Sequence, residues 1–94
     1  MNQMFSSTKE QSSVEVLEQV TEKHQLILFN DDVNTFDHVI DCLIGVCGHD
    51  ALQAEQCAYI VHYQGKCVVK EGELTEVVDM CTELLNYDLS AEVN

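Results

Sequence analysis

Basic side chains are scarce in this chain, which has four Lys plus Arg against 17 Asp plus Glu and a formal net charge of −13. Such a surface repels phosphate backbones and anionic headgroups, so nucleic acid and membrane surfaces are excluded as partners. Cationic groups, including the free amine at a protein's N-terminus, are attracted. The same acidity also maintains solubility, so charge alone does not choose between a binding role and a solvating one. C-x-x-C pairs are absent. The five cysteines, Cys42, Cys47, Cys57, Cys67 and Cys81, are odd in number and lie inside apolar periodic segments. They read as small buried hydrophobes in a reducing compartment. No run of apolar residues approaches the length that spans a bilayer, and Met1-Asn2-Gln3-Met4 does not begin a basic segment followed by an apolar one. Residues 1–22 hold no Arg and four Glu, the opposite of a transit peptide. A cytoplasmic address is the expectation.

Catalytic signatures are missing as well. There is no G-x-S-x-G elbow for a serine nucleophile and no glycine-rich phosphate loop. The sole hint of a metal site is His38 and Cys42 at i, i+4, and Cys42 lies beside an apolar stripe, so neither a metal nor another cofactor is expected. The chain reads as a binding protein and not an enzyme.

With 94 residues the chain makes one domain, and a domain this short buries only roughly 60–65% of its unfolded surface. Its 46% apolar content is consumed by one sheet-and-helix core. Residues 1–13 are rich in Ser, Gln and Thr without periodicity, and Val14, Val16, Leu17 and Val20 offer at most a short amphipathic stretch. Residues 1–22 therefore read as a mobile N-terminal extension and residues 23–94 as the folded domain.

From His24 the pattern changes. Leu26-Ile27-Leu28-Phe29 is a run of strand formers, expected to be buried on both sides or nearly so, and Asn30-Asp31-Asp32 stops it. Phe36, Val39, Ile40, Leu43, Val46 and Cys47 form one stripe of a helix, with Asn34 placed as its N-cap and Gly48 at its end. Asp50 and Gln53 open a second helix with Ala54, Cys57, Ala58 and Val61 facing inward, closed by Gly65. Cys67-Val68-Val69 is a second strand. Leu74, Val77, Val78, Cys81, Leu84 and Leu85 form the stripe of a third helix, and Asp88 to Val93 alternates like a strand. The expected fold is α+β, in the order β-α-α-β-α-β, with three helices on one face of a three-stranded antiparallel sheet.

Two polar clusters stand out. Asn30-Asp31-Asp32 places three short polar side chains where one Asx residue would make the turn; it reads either as an Asx-turn with a helix-dipole carboxylate or as a binding site. His62-Tyr63-Gln64-Gly65-Lys66 closes the second helix, where a histidine also suits the helix dipole. Together, Leu28-Phe29-Asn30-Asp31-Asp32, the spacing to Val39-Ile40-Asp41 and the ungapped run to Val61-His62-Tyr63-Gln64-Gly65-Lys66 resemble the ClpS adaptor family over about Lys23 to Val93. That resemblance implies an adaptor that binds destabilising N-terminal residues of substrate proteins and delivers them to a Clp-type AAA+ unfoldase and protease. It implies that Asn30, Asp31 and His62 accept hydrogen bonds from the substrate's α-ammonium. It also implies a side-chain pocket of Asn34, Phe36, Val39, Ala58, Val61 and Leu89. By position alone the apolar members of that set are ordinary core.

The chain departs from the family pattern at named places. Phe36 and Ala58 stand where the family carries Met, the segment leading from Lys66 to the third helix is shorter, and Gly72-Glu73-Leu74 replaces a Glu-Thr-Lys that bears on the unfoldase surface. The alternative within the same architecture is a non-degradative interaction domain like the C-terminal domain of the ribosomal stalk protein. An enzyme using Asp31 and His62 as an acid/base pair is the competitor from another class.

Overall fold

The computed structural model describes residues 22–94. The expected N-terminal extension and its Val14 to Val20 stretch lie outside the described residues. Six elements follow in the anticipated order: β1 (His24–Phe29), α1 (Phe36–Cys47), α2 (Ala51–Gln64), β2 (Lys66–Gly72), α3 (Leu74–Asn86) and β3 (Ser90–Val93). The sheet order is β2-β1-β3, and both neighbours run antiparallel to β1.

β1 is central, but it is not buried on both sides. Leu26 and Leu28 are 0% and 1% exposed, whereas Ile27 and Phe29 between them are half-buried. The helices cover one face only, so the strand alternates as half-covered antiparallel strands do. Lys70 faces Leu26 and Val68 faces Ile27 across the β1–β2 ladder, leaving Val69 as an extra residue in a bulge. Val69 turns into the core, 4% exposed. β2 runs on to Gly72, beyond the three residues expected from the sequence.

Leu26, Leu28, Leu43, Ala54, Val61, Val77, Leu84, Leu89 and Ala91 share one core with three cysteines. Cys42, Cys47 and Cys81 are buried; Cys57 and Cys67 are half-buried, and all five are free thiols. Burial pushes Cys47 up to about 11 and Cys67 up to about 12, so both stay protonated near neutrality.

Each helix is fixed by its ends. Thr35, not Asn34, caps α1: its Oγ1 accepts from the His38 N–H at 3.1 Å. Asp50 caps α2 as anticipated, accepting from the Gln53 N–H at 2.7 Å. On α3 the inner row Val77, Cys81 and Leu84 is buried, but Leu74, Val78 and Leu85 from the same expected stripe are 49%, 41% and 50% exposed. Three strands about 4.8 Å apart make a sheet too narrow to cover the flanks of three helices roughly 10 Å across. α3 ends in a Schellman arrangement: the Asp88 N–H donates to the Leu85 carbonyl and the Leu89 N–H to the Leu84 carbonyl, both at 3.0 Å. The residue in the left-handed conformation there is Asp88, at φ 69°, where glycine is usual.

Candidate functional site

The two polar clusters come together because β1 and the turn after α2 are hydrogen-bonded. Phe29 pairs with Lys66, and the Asn30 N–H donates to the Gly65 carbonyl at 2.9 Å. The Asn-Asp-Asp segment therefore leaves the sheet beside the C-terminal end of α2, which carries Ala58, Val61 and His62. Between the two lies a cavity of about 280 Å3 lined by Asn30, Asp31, Asp32, Asn34, Phe36, Val39, Ala58, Val61 and His62. A deeper crevice of about 20 Å3 shares five of these residues and adds Leu28, Phe29 and Leu89 as its floor.

Asp31 organises the loop. Its Oδ1 accepts from the backbone N–H groups of Val33 and Asn34, each at 2.8 Å, and its Oδ2 accepts from the Asn34 side-chain amide at 2.7 Å. The same amide gives its second hydrogen to the Asp88 carbonyl at 2.9 Å. This tie joins the loop to the residue before Leu89, and so sets the crevice floor against the loop. Burial acts to raise the Asp31 carboxyl, but the hydrogen bonds from Asn34 and Val33, with His38 nearby, outweigh it and hold the carboxyl below its ordinary range. An ionised carboxylate offers about four lone-pair positions, of which the loop takes three; the fourth, on Oδ2, is left for an incoming donor.

Asn30 and His62 are exposed, and among the described residues neither side chain makes a hydrogen bond. The His62 ring is instead held by packing: its centroid is 5.2 Å from the Phe36 ring and 4.7 Å from the Tyr63 ring, which it meets edge-on. Ala58 and Val61 are 2% and 5% exposed, and Leu89 is 4% exposed. The cavity thus has polar acceptors at its mouth and apolar walls below.

Two further cavities are larger. One of about 370 Å3, between α1 and α3, is lined by His38, Asp41, Cys42, Gly45, Val46, Glu83 and Tyr87. There His38 Nε2 donates to the Tyr87 carbonyl at 2.9 Å and also lies 3.7 Å from the Cys42 thiol, so the i, i+4 pair is tied to the backbone. No three His, Cys, Asp or Glu side chains among the described residues converge as a metal set. The other, about 360 Å3 beside Gly48 and β2, contains His49, whose Nε2 donates to the Val69 carbonyl at 2.7 Å.

Residues 19–92 match the family model described as "ATP-dependent Clp protease adaptor protein ClpS". The chain belongs to the ClpS family. The ClpS adapter protein of Salmonella gallinarum is 40% identical over 55 residues, covering 56% of this chain and 52% of that protein. The adapter of Thermosynechococcus vestitus is 38% identical over 60 residues, covering 58% and 64%. The chain thus spans between about half and two thirds of the length of these curated relatives. A Campylobacter jejuni ClpS adapter is 31% identical over 77 residues, covering 74% of this chain and 79% of that protein. In fold, the chain is similar to Agrobacterium tumefaciens ClpS2 bound to L-phenylalaninamide: the TM-score is 0.74 at 18% identity, covering 79% of this chain and 96% of the other. The β-α-α-β-α-β order and antiparallel sheet are therefore those of a ClpS fold.

All nine residues proposed from the sequence line the cavity or its crevice. Asp32 lines the rim too and was not among them, although it belongs to the polar triplet that drew attention to the loop. The carbonyl of Asp88, which positions Asn34, carries no signal in the sequence. Among the described residues, no helix is long and apolar enough to cross a membrane.

Proposed function

We propose that the cavity receives the first residue of a substrate protein, and that the chain is a cytoplasmic adaptor delivering such substrates to a Clp-type AAA+ unfoldase. The observation that carries this reading is the convergence of Asn30, Asp31 and His62 at the mouth of a cavity whose walls are Val39, Ala58 and Val61. An α-ammonium has three donors and one positive charge; the mouth offers a side-chain carbonyl, one carboxylate lone pair and a ring nitrogen. Charge-assisted bonds of this kind contribute roughly 1.5–3 kcal/mol each. An acetylated N-terminus has neither the charge nor the donors. A volume of about 280 Å3 holds one large side chain and falls below the roughly 300–1,000 Å3 of drug-sized pockets.

The ClpS2 neighbour was solved with L-phenylalaninamide, a free α-amine, a benzyl side chain and an amide in place of the carboxylate. These are the groups a protein's first residue presents, and they match the mouth and walls described here. Residues 23–94 form the binding unit in this reading, and no residue is assigned a chemical step. Phe, Tyr, Leu and Trp are the preferred first residues. Val and Ile are disfavoured because their second γ-carbon broadens the side chain next to the backbone, where Phe36 narrows the mouth. A peptide array varying only the first residue, each peptide with a free and an acetylated amine, tests the proposal. Binding confined to free-amine peptides with bulky first residues is expected; equal binding of acetylated peptides, or of first-position Glu, refutes it.

A further inference from the structure

A row of aromatic rings flanks the cavity mouth along the outward face of α2 and closes back on His62, whose ring lies 5.2 Å from that of Phe36 and 4.7 Å from that of Tyr63. Phe36 lines the mouth, with its ring centroid 5.1 Å from that of Tyr59. Tyr59 lies nearly parallel to Tyr63, one turn further on, at 6.0 Å and 7°. These rings are not core: Tyr59 is 49% exposed and Tyr63 73%. Exposed aromatic rings grouped at the edge of a pocket mark a contact surface more than a packing need.

The surroundings give the row a sign. The faces of aromatic rings carry negative charge density. Glu55 lies one turn before Tyr59 on the same helix face and is exposed, Asp37 follows Phe36, and Asp32 lies on the cavity rim. Lys66, the nearest lysine along the chain, sits beyond Gly65 in β2. A cation over these rings would meet their π-faces on the surface of a chain of net charge −13.

We propose that Phe36, Tyr59 and Tyr63 form a second subsite that reads the side chain at the second or third position of the substrate and favours a cationic one, arginine above lysine. This rests on the reading of the cavity as the seat of the first residue. An extended peptide advances about 3.3–3.6 Å per residue. The Phe36 and Tyr63 rings lie 5.2 and 4.7 Å from the His62 ring, and Tyr59 lies 5.1 and 6.0 Å from those two, so all three are within about one to three residues of an amine held at His62. Arginine is preferred because its guanidinium is planar and weakly hydrated, and stacks on a ring face where a lysine ammonium presents only a point charge. The subsite adds discrimination among substrates that share a first residue, which the cavity by itself cannot provide.

The test uses peptides beginning Phe-Arg, Phe-Lys, Phe-Ala and Phe-Glu, each also with arginine moved to the third position, binding to the full chain at low and at about 0.5 M salt. At that ionic strength the screening length is only a few ångströms, so attraction from net charge is suppressed. The parent is expected to bind one of the arginine peptides about two- to five-fold tighter than Phe-Ala at high salt. That ratio persists in Tyr59→Phe, which keeps the ring, and falls towards one in the double variant Tyr59→Leu, Tyr63→Leu, which changes no charge. Loss of the parent's preference in high salt, or its survival in the double variant, overturns the subsite and leaves the cavity reading intact. If no Phe-first peptide binds better than its acetylated form, the cavity reading fails and takes the subsite with it. Sedimentation velocity covers the remaining occupant, a second copy of the chain: a parent dimer that the Leu variants dissociate, with the peptide ratio unchanged, also overturns the proposal.

Discussion

Replacing Asp31 with Asn separates charge from shape at the site. The new side chain keeps an oxygen where Oδ1 stood, so the bonds from the Val33 and Asn34 N–H groups survive. At the Oδ2 position an NH2 group now faces the Asn34 amide, itself a donor, across 2.7 Å. Asn34 cannot relieve the conflict by flipping, because its other hydrogen goes to the Asp88 carbonyl at 2.9 Å and a flip would set oxygen against oxygen. The loop loses one charge-assisted bond, and because the site is only part-buried the cost lies at the lower end of the usual range, about 1.5 kcal/mol. For a domain of this size that lowers Tm by roughly 6–12 °C. Binding loses the one negative charge assigned to the ammonium, and the same range predicts about a ten- to hundred-fold weaker Kd. Fluorescence anisotropy with a Phe-first peptide, free and N-acetylated, checks this beside Asn34→Ala, which cuts the loop's ties but leaves Asp31 ionised. Both variants should melt earlier, while only Asp31→Asn should erase the preference for a free amine. Equal loss of that preference in the two variants would show that loop order, not charge, binds the peptide, and an unchanged Kd in Asp31→Asn would refute the role outright.

Ala58→Met adds side-chain volume to a wall that is now 2% exposed. It should penalise first-position Trp before Leu, by roughly 1–3 kcal/mol, as read from competition binding; an unchanged Trp-to-Leu ratio places the side chain elsewhere. His62→Phe keeps a ring to pack on Phe36 and Tyr63 but removes the nitrogen that would accept from the ammonium, and should weaken peptide binding by roughly ten-fold or more. A His62→Phe variant that binds a Phe-first peptide as tightly as the parent would remove His62 from the clamp. The folded Asp31 carboxyl is held below its ordinary value, so its contribution to stability is full above the unfolded pKa of about 3.9 and is lost only as pH falls through the lower folded one, as acid titration of Tm would read. Asp88→Gly relieves a left-handed residue at φ 69° and should raise stability by up to about 1 kcal/mol, whereas Asp88→Ala should not; thermal melts of the two variants decide it.

Element order was legible because each helix carries its own stripe and the first two carry a stop: Gly48 and Gly65 both sit in the left-handed conformation at helix ends. What the sequence concealed depended on distant partners. Asn34 and Thr35 are both good N-cap types, and the choice between them is made by the Asp88 carbonyl, which claims the Asn34 amide from across the fold. β1 reads as doubly buried since Ile27 and Phe29 are as apolar as Leu26 and Leu28; only the placement of all helices on one face separates them. The outer row of α3 looks like its inner row for the same reason. At the site, either polar cluster alone is satisfied by an ordinary turn or a dipole argument. Their meeting follows from the Asn30–Gly65 bond and the β1–β2 register, long-range pairing that no local pattern encodes.

In the proposed reading, that pairing also lets so small a domain discriminate between peptide ends without a deep cleft. Binding a flexible peptide end costs ordering entropy on both sides, and the protein's share is smallest where its acceptors are already fixed. Asp31 is fixed by three loop donors, Asn34 by Asp31 and Asp88, and the start of the loop by Gly65. The residues that anchor this frame come from β1, α2 and the end of α3, so the site's rigidity is inherited from the core those elements share. Selectivity can then be altered at Phe36 and Ala58, which touch the cavity but none of the bonds that hold the loop. Both are positions at which the sequence is expected to depart from the family pattern, and changes there would reshape the cavity without touching the Asp31 and Asn34 bonds.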